Sequence, residues 1–200
     1  PGSTRECAAS RRLARQPIAI VSEAPSASSW DWKWMFALNP GAFSVTTGYP
    51  AAVTFYEERL VFAGTTSQPQ TVFFSQSGDF ENFEDGIESD DGMVYTLGST
   101  DVCVVRWLAS ARSLIVGTSG GEFVVSAGDL DEAITPTNIQ IKRQSSYGCS
   151  DTAPVQVANA TLFVQRAKRK IRELTYSFNT DSYLAPDMSI LAEHITDSGL

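Results

Sequence analysis

The chain has 200 residues, with 23 acidic against 15 basic side chains and a formal net charge of −8. That balance argues against a domain that grips nucleic acid, because such affinity rests on cationic contacts to phosphate. Hydrophobic residues make up 42% of the chain, enough for a real core, yet no apolar run approaches the length of a membrane span.

Residues 1–29 are rich in Ala, Ser and Arg and carry little patterning, so they read as a poorly ordered arm or linker. The apolar run 18–21 within them is too short for a secretory core. Trp30, Trp32, Trp34, Phe36 and Leu38 then alternate, which predicts a strand with one aromatic face. That face has two possible uses. It is a stacking platform for sugars or bases, or it packs against the body or a neighbouring subunit; aromatic stripes usually bury themselves, which favours the second. Asn39-Pro40-Gly41 is a turn.

From residue 51 onward one unit recurs. Leu60, Leu114 and Leu162 each sit in a short β-prone run, at a spacing of about 50 residues, the period of a propeller blade or an array. Runs at 53–55, 102–108 and 155–157 precede them. Runs at 72–74, 123–125 and 171–174 follow, each closed by a polar turn containing an aspartate. A fourth run completes each unit, at 93–97, 139–141 and 190–195. Four antiparallel strands three times over give an all-β chain with about three blades, at roughly residues 51–98, 101–144 and 153–196. Residues 30–200 therefore read as one β-propeller-like domain, a partial propeller, with a β-sandwich as the alternative. Propellers close with about four to eight blades. Three leave edges that must be paired or covered, which implies assembly or a longer protein.

The chemistry-bearing residues lie in the turns. Glu57 and Glu58 separate two runs of the first unit. The loop from Asp79 to Asp91 is strongly acidic, with Asp79, Glu81, Glu84, Asp85, Glu88, Asp90 and Asp91. Its spacing does not fit a calcium-binding loop of the EF-hand type, because Gly86 and Gly92 fall in the wrong frame, so a solvated acidic loop is expected. Ser119-Gly120-Gly121 reads as a tight hairpin turn whose glycines supply positive φ. Arg166, Lys168, Arg169 and Lys170 crowd one turn of the third unit. A basic turn on an acidic chain would suit an acidic loop on a neighbouring copy.

Catalysis finds little support. His194 is the one histidine, with no partner that spacing supplies for a metal site or a triad. Cys7, Cys103 and Cys149 are odd in number and lack a CxxC pair, which favours a reduced, intracellular setting over a disulfide framework. No catalytic, cofactor-binding or metal-ligating residue is expected.

Several ordered motifs over residues 45–200 resemble tail proteins of short-tailed bacteriophages and their prophages, of the nozzle or stabilisation kind. They are Gly48-Tyr49-Pro50-Ala51-Ala52-Val53-Thr54-Phe55 with Glu57, Arg59-Leu60 and Ala63-Gly64-Thr65; Ser67-Gln68-Pro69-Gln70-Thr71-Val72; and Gly78-Asp79-Phe80-Glu81-Asn82-Phe83. Gly117-Thr118-Ser119-Gly120-Gly121-Glu122, Leu162-Phe163-Val164-Gln165, Lys170-Ile171-Arg172-Glu173-Leu174, Ala185-Pro186-Asp187 and Leu191-Ala192-Glu193-His194-Ile195-Thr196 follow in the same order. The resemblance implies a non-catalytic virion component, made in the bacterial host cytoplasm. It would form a homo-oligomeric ring below the portal, contact other tail or portal proteins, and let DNA pass without binding it specifically. Family members run past the position of Leu200, so the resemblance also implies a fragment. The expected interface or lumen residues are Glu57, Glu58, Asp79, Glu81, Asp85, Asp90, Asp91, Arg166, Lys168, Arg169 and Lys170. The alternative is a carbohydrate- or receptor-binding propeller with Trp30, Trp32 and Trp34 as its platform.

Overall fold

The computed structural model describes residues 43–45, 48–99, 103–128, 132–180 and 182–196. The 1–29 arm and the aromatic strand expected at 30–38 lie outside them. The described chain is all-β, with twelve strands and one four-residue helical turn. β1 (Ala52–Tyr56), β2 (Arg59–Ala63), β3 (Thr71–Phe74) and β4 (Met93–Thr96) form the first sheet. β5 (Val105–Ser110), β6 (Leu114–Thr118), β7 (Gly121–Ser126) and β8 (Gln140–Ser145) form the second. β9 (Val155–Val157), β10 (Ala160–Val164), β11 (Ile171–Ser177) and β12 (Ser182–Leu184) form the third. Each sheet is an antiparallel meander of four strands consecutive in sequence.

Burial explains the strand sequences. The first sheet turns Val61, Ala63, Val72, Phe74 and Met93 toward Val105, Leu114, Val116, Phe123 and Val125 of the second. The second sheet turns its other face, with Trp107, Ala109, Ile115 and Val124, toward Cys149, Phe163, Leu174 and Ala185 of the third. The middle sheet is thus covered on both sides. For this reason β6 is buried at every position and reads as a continuous apolar run rather than an alternating one. The Trp107 indole lies across the strand partner Gly117, where a Cβ would stand 2.2 Å from Cε2. On the far face of the first sheet, Phe43 meets Phe73 and Phe62 edge-on at centroid distances of 4.9 and 5.9 Å.

A meander puts alternate turns at opposite ends of its sheet, and hydrogen bonds between the sheets align those ends. Ile134 N, between β7 and β8, donates to Glu57 Oε2 of the β1–β2 turn at 2.7 Å, and Tyr95 Oη of β4 donates to Pro136 O at 2.7 Å, joining that end of the first sheet to the second. At the other end, Val105 N donates to Pro69 O at 2.9 Å, and Arg166 Nη1 to Ser119 O at 3.3 Å.

Two expectations are corrected. The fourth strand of the third unit is β12, not residues 190–195. The β11–β12 hairpin closes through a short turn in which Thr180 N donates to Ser177 O, and Tyr183 pairs with Tyr176. A short closure costs less chain entropy than an excursion to residue 190. Glu193–Thr196 instead forms the helical turn α1, and Leu191 before it is 96% exposed. The β6–β7 turn does sit at Ser119-Gly120, but neither Gly120 nor Gly121 has positive φ. These glycines answer to space: a Cβ on Gly120 would lie 2.3 Å from Cys103 Sγ, and one on Gly121 would lie 2.5 Å from Ser145 O. The left-handed two-residue turn is built from Glu57 (φ 47°) and Glu58 (φ 58°).

Candidate interface loops

The acidic loop between β3 and β4 is organised by Arg59, at the start of β2. Its side chain is 2% exposed. Nη1 donates to Ser75 O at 2.8 Å and to Asp91 O at 2.6 Å, and Nη2 donates to Ser89 O at 2.7 Å. Asp90 O lies 3.4 Å from Nη1. Burial lowers the guanidinium pKa from its ordinary value, with the charges of Asp90, Glu57 and Asp91 opposing. A guanidinium out of water needs its donors filled; carbonyl dipoles of the loop fill them here, and the loop takes its shape in return.

The loop's own side chains finish the work. Asp91 Oδ1 accepts from Gln76 Nε2 at 3.2 Å, and Oδ2 accepts from Glu88 N at 3.1 Å. Asp79 Oδ1 accepts from Glu81 N at 3.3 Å. Asp79 and Asp91 are therefore turn-formers, while the Glu81, Asp85 and Asp90 side chains stand exposed. Among the described residues, no three carboxylates, histidines or cysteines converge as a metal site would require.

Glu57 and Glu58 lie at the same end of the sheets, but they differ in use. Glu57 Oε2 accepts from Ile134 N at 2.7 Å, a bond that reaches from the first sheet to the second. Glu58 contributes its carbonyl, which accepts from Gly78 N at 2.9 Å. Beside them, burial pushes the Tyr56 phenol above its ordinary pKa, and Glu57 adds to the effect.

The basic turn between β10 and β11 lies at the opposite end. Lys168 (φ 57°) pairs with Asp151 at 2.8 Å, and Lys170 pairs with Asp187 at 2.7 Å. Lys168 holds the Asp151 carboxyl below the usual range. Lys170, with Ser189 assisting, pulls Asp187 down to about 2. Arg166 reaches the second sheet through Ser119 O, and Arg169 is exposed. The acidic loop and the basic turn are therefore brought to opposite ends of the sheets and do not meet within the chain.

This gives the described chain a charge polarity. The turns and loops at one end carry Glu57, Glu58, the acidic set of residues 79–91 and Glu132, with Arg112 as the one cation among the described loop residues there. The opposite end carries the four cations of the basic turn, two of them neutralised by Asp151 and Asp187.

Three buried charged residues escaped the sequence reading as individuals: Arg59, Arg172 and Glu122. Arg172 lies 3.4 Å over the Tyr147 ring and donates from Nη1 to Ala185 O at 2.7 Å. Glu122, on β7, is fully buried; Ser145 Oγ donates to Oε2, while Oε1 has no hydrogen-bond partner. Burial raises its pKa, against the opposing influence of Ser145, Arg172 and Arg143. Cys149 lies nearby, its thiol pushed up by burial and by the Glu122 charge. Cys103 and Cys149 are both buried and unpaired with each other. The one available signal was Glu122 itself, a charge inside a β-prone run flanked by Phe123-Val124-Val125.

His194 is exposed on α1. No protein-family model matches the chain, and a search of curated proteins finds no match.

Proposed function

We propose that the chain is a non-catalytic structural subunit of the tail of a short-tailed bacteriophage, of the nozzle or stabilisation kind, in which the three sheets act as propeller blades. The observation that carries this reading is the stacking of three successive four-stranded meanders face to face. Repetition of that packing is how a propeller is built. It leaves an apolar outer face on each terminal sheet, with Val53 and Phe55 more than half exposed on the first and Val155 and Val157 on the third. Such faces call for further blades or further copies.

The motif residues support a structural role over a chemical one. Gly48 (φ 87°) permits a turn where a Cβ would stand 2.6 Å from Thr66 Oγ1. Arg59 shapes the acidic loop, and Thr65 Oγ1 accepts from Gln68 N at 3.0 Å to close the β2–β3 loop. Each has a job in building a sheet or its loops.

In this reading the virion is the site of action, after synthesis in the host cytoplasm. Copies form a ring that meets other tail or portal proteins, and DNA passes without specific binding. Acidic loops along such a passage repel the phosphate backbone and withhold the cations that generate nonspecific affinity. The charge polarity of the sheet ends suits contact along the passage axis, acidic end toward a basic neighbour.

Light scattering after size exclusion, with negative-stain imaging of the same sample, tests the proposal. A discrete ring is expected; a monodisperse monomer at high concentration overturns self-assembly by this chain. Arg169→Glu probes the axial contact at an exposed position of the basic turn.

A further inference from the structure

We infer that a cleft between the second and third sheets is a binding site for one ring of a carboxylate-bearing saccharide. The cleft holds about 250 Å³ and opens where the β5–β6 turn meets β7, β8, β11 and β12. That is just below the ~300–1,000 Å³ of drug-sized sites, so it suits a single sugar ring rather than a long segment.

Its lining has the chemistry of sugar recognition. The Tyr176 ring stands edge-on to Tyr183 at 5.5 Å, is 40% exposed and lines the cleft. Such a ring stacks on the C–H surface of a pyranose, since it offers apolar area of fixed geometry. Gln140 and Gln144 supply amides that both donate and accept. A β-bulge on β8, where Glu122 pairs with Ser145 and Phe123 with Arg143, leaves Gln144 as the extra residue. Bulges of this kind re-aim side chains, and Gln144 Oε1 accepts from Tyr183 N at 3.3 Å. That bond fixes the amide between the two sheets before any ligand arrives.

The charge of the lining selects the ligand class. Arg112 and Lys142 are its charged members, and no carboxylate lines it. Neither cation makes an ion pair with another described residue. In a chain of net charge −8, two such cations beside an aromatic ring and two amides match a sugar bearing a carboxylate. The planar guanidinium binds that group in bidentate fashion. The inference stands apart from the structural role above, and the failure of either leaves the other intact.

The test is ligand-observed NMR on the whole chain with a glucuronic-acid disaccharide, its neutral glucose counterpart and inorganic phosphate. Lys142→Gln and Tyr176→Ala follow, each checked for unchanged melting. Lys142 is exposed, so the fold tolerates its change; Tyr176→Ala also removes the edge-on contact with Tyr183, so its melting decides whether its loss of binding is local. A third variant, Gly128→Ala, places a Cβ 3.3 Å from Gln140 Nε2 and narrows the cleft without removing a polar group. Gly128 does not have positive φ, so alanine fits its backbone. The expected result is weak binding of the uronic disaccharide alone, reduced at least about tenfold in each variant. Equal binding of phosphate or of the neutral sugar overturns the ligand class. Binding that survives all three variants overturns the site, and absence of any signal overturns the proposal.

Discussion

Arg59 and Glu122 show how much of this fold turns on single buried charges. Arg59 spends its donors on backbone carbonyls of the 75–92 loop. Arg59→Ala leaves those carbonyls dry and unpaired, so a loss of about 3 kcal/mol or more is expected. Urea denaturation measures it, and limited proteolysis will cut the loop first; Arg59→Lys should recover part of the loss but not the fork geometry. Glu122 works in the opposite sense. A carboxyl whose folded pKa is raised binds its proton more tightly folded than unfolded. Its contribution is therefore greatest below the ordinary glutamate value of 4.5 and falls as pH rises toward the folded value. Asp187, held down to about 2, contributes fully above its ordinary 3.8 and loses that contribution as pH falls toward 2. Glu122→Gln is expected to flatten the fall of melting temperature on the alkaline side of 4.5 and to raise melting at neutral pH. Melting curves across pH for both proteins check this; an unchanged slope refutes a raised Glu122 pKa.

At the scale of the strand and turn, Glu57-Glu58 is the departure from rule. A left-handed turn of two residues ordinarily takes Asn-Gly, because other residues lose about 1–2 kcal/mol each in that region. Glu58→Gly is expected to stabilise by up to about 1 kcal/mol, since Glu58 contributes only its carbonyl. Glu57→Gly relieves the same strain but orphans Ile134 N–H, so a net loss of about 1–2 kcal/mol is expected. Denaturation of the two variants side by side should give opposite signs. Gly117→Ala should cost about 1–3 kcal/mol by driving a methyl into Trp107. These elements also show what the sequence made legible. Apart from β8, which is largely polar and exposed, the strands of the first two sheets follow β-branched and aromatic runs because they pack apolar faces, and burial leaves that pattern behind. Ser182-Tyr183-Leu184 left none: it is a three-residue edge strand held by one hairpin and an edge-on tyrosine pair. The acidic loop and basic turn were visible as charge runs. That Asp91 shapes a turn, or that Lys168 and Lys170 are spent on Asp151 and Asp187, depends on chain crossings that composition does not encode. Gln144 was silent for the same reason, because its place follows from a register slip against β7.

At the scale of the whole described chain, the proposed ring could be held by two modes of association, and they make different demands. Axial contact would join the acidic end of one copy to the basic turn of another; it would weaken with salt, because exposed charges are screened over about 10 Å at moderate ionic strength. Lateral contact would place the outer face of the third sheet, with Val155 and Val157, on the outer face of a neighbour's first sheet, with Val53 and Phe55. That repeats between copies the packing already made twice within the chain. It joins two different faces, so it closes into a ring when the rotation per copy allows. It rests on apolar burial and should persist or strengthen in high salt. Phe55 separates the modes, because it is 59% exposed on the outer face and meets the Phe80 ring edge-on at 5.2 Å. Phe55→Asp should leave the melting of the isolated chain nearly unchanged, since surface substitutions usually stay within about 0.5 kcal/mol. It places a charge on the outer face of the first sheet, beside Leu60, where burial against a neighbouring copy without a partner is costly. The expected outcome is a ring that persists in high salt in the parent chain, falls to monomer in Phe55→Asp, and keeps its ring number in Arg169→Glu while losing only its stacking. Light scattering across a salt series on the three proteins reads all of this at once. If Phe55→Asp keeps the multimer and Arg169→Glu abolishes it, the sheet faces are not the ring contact and the charged ends are.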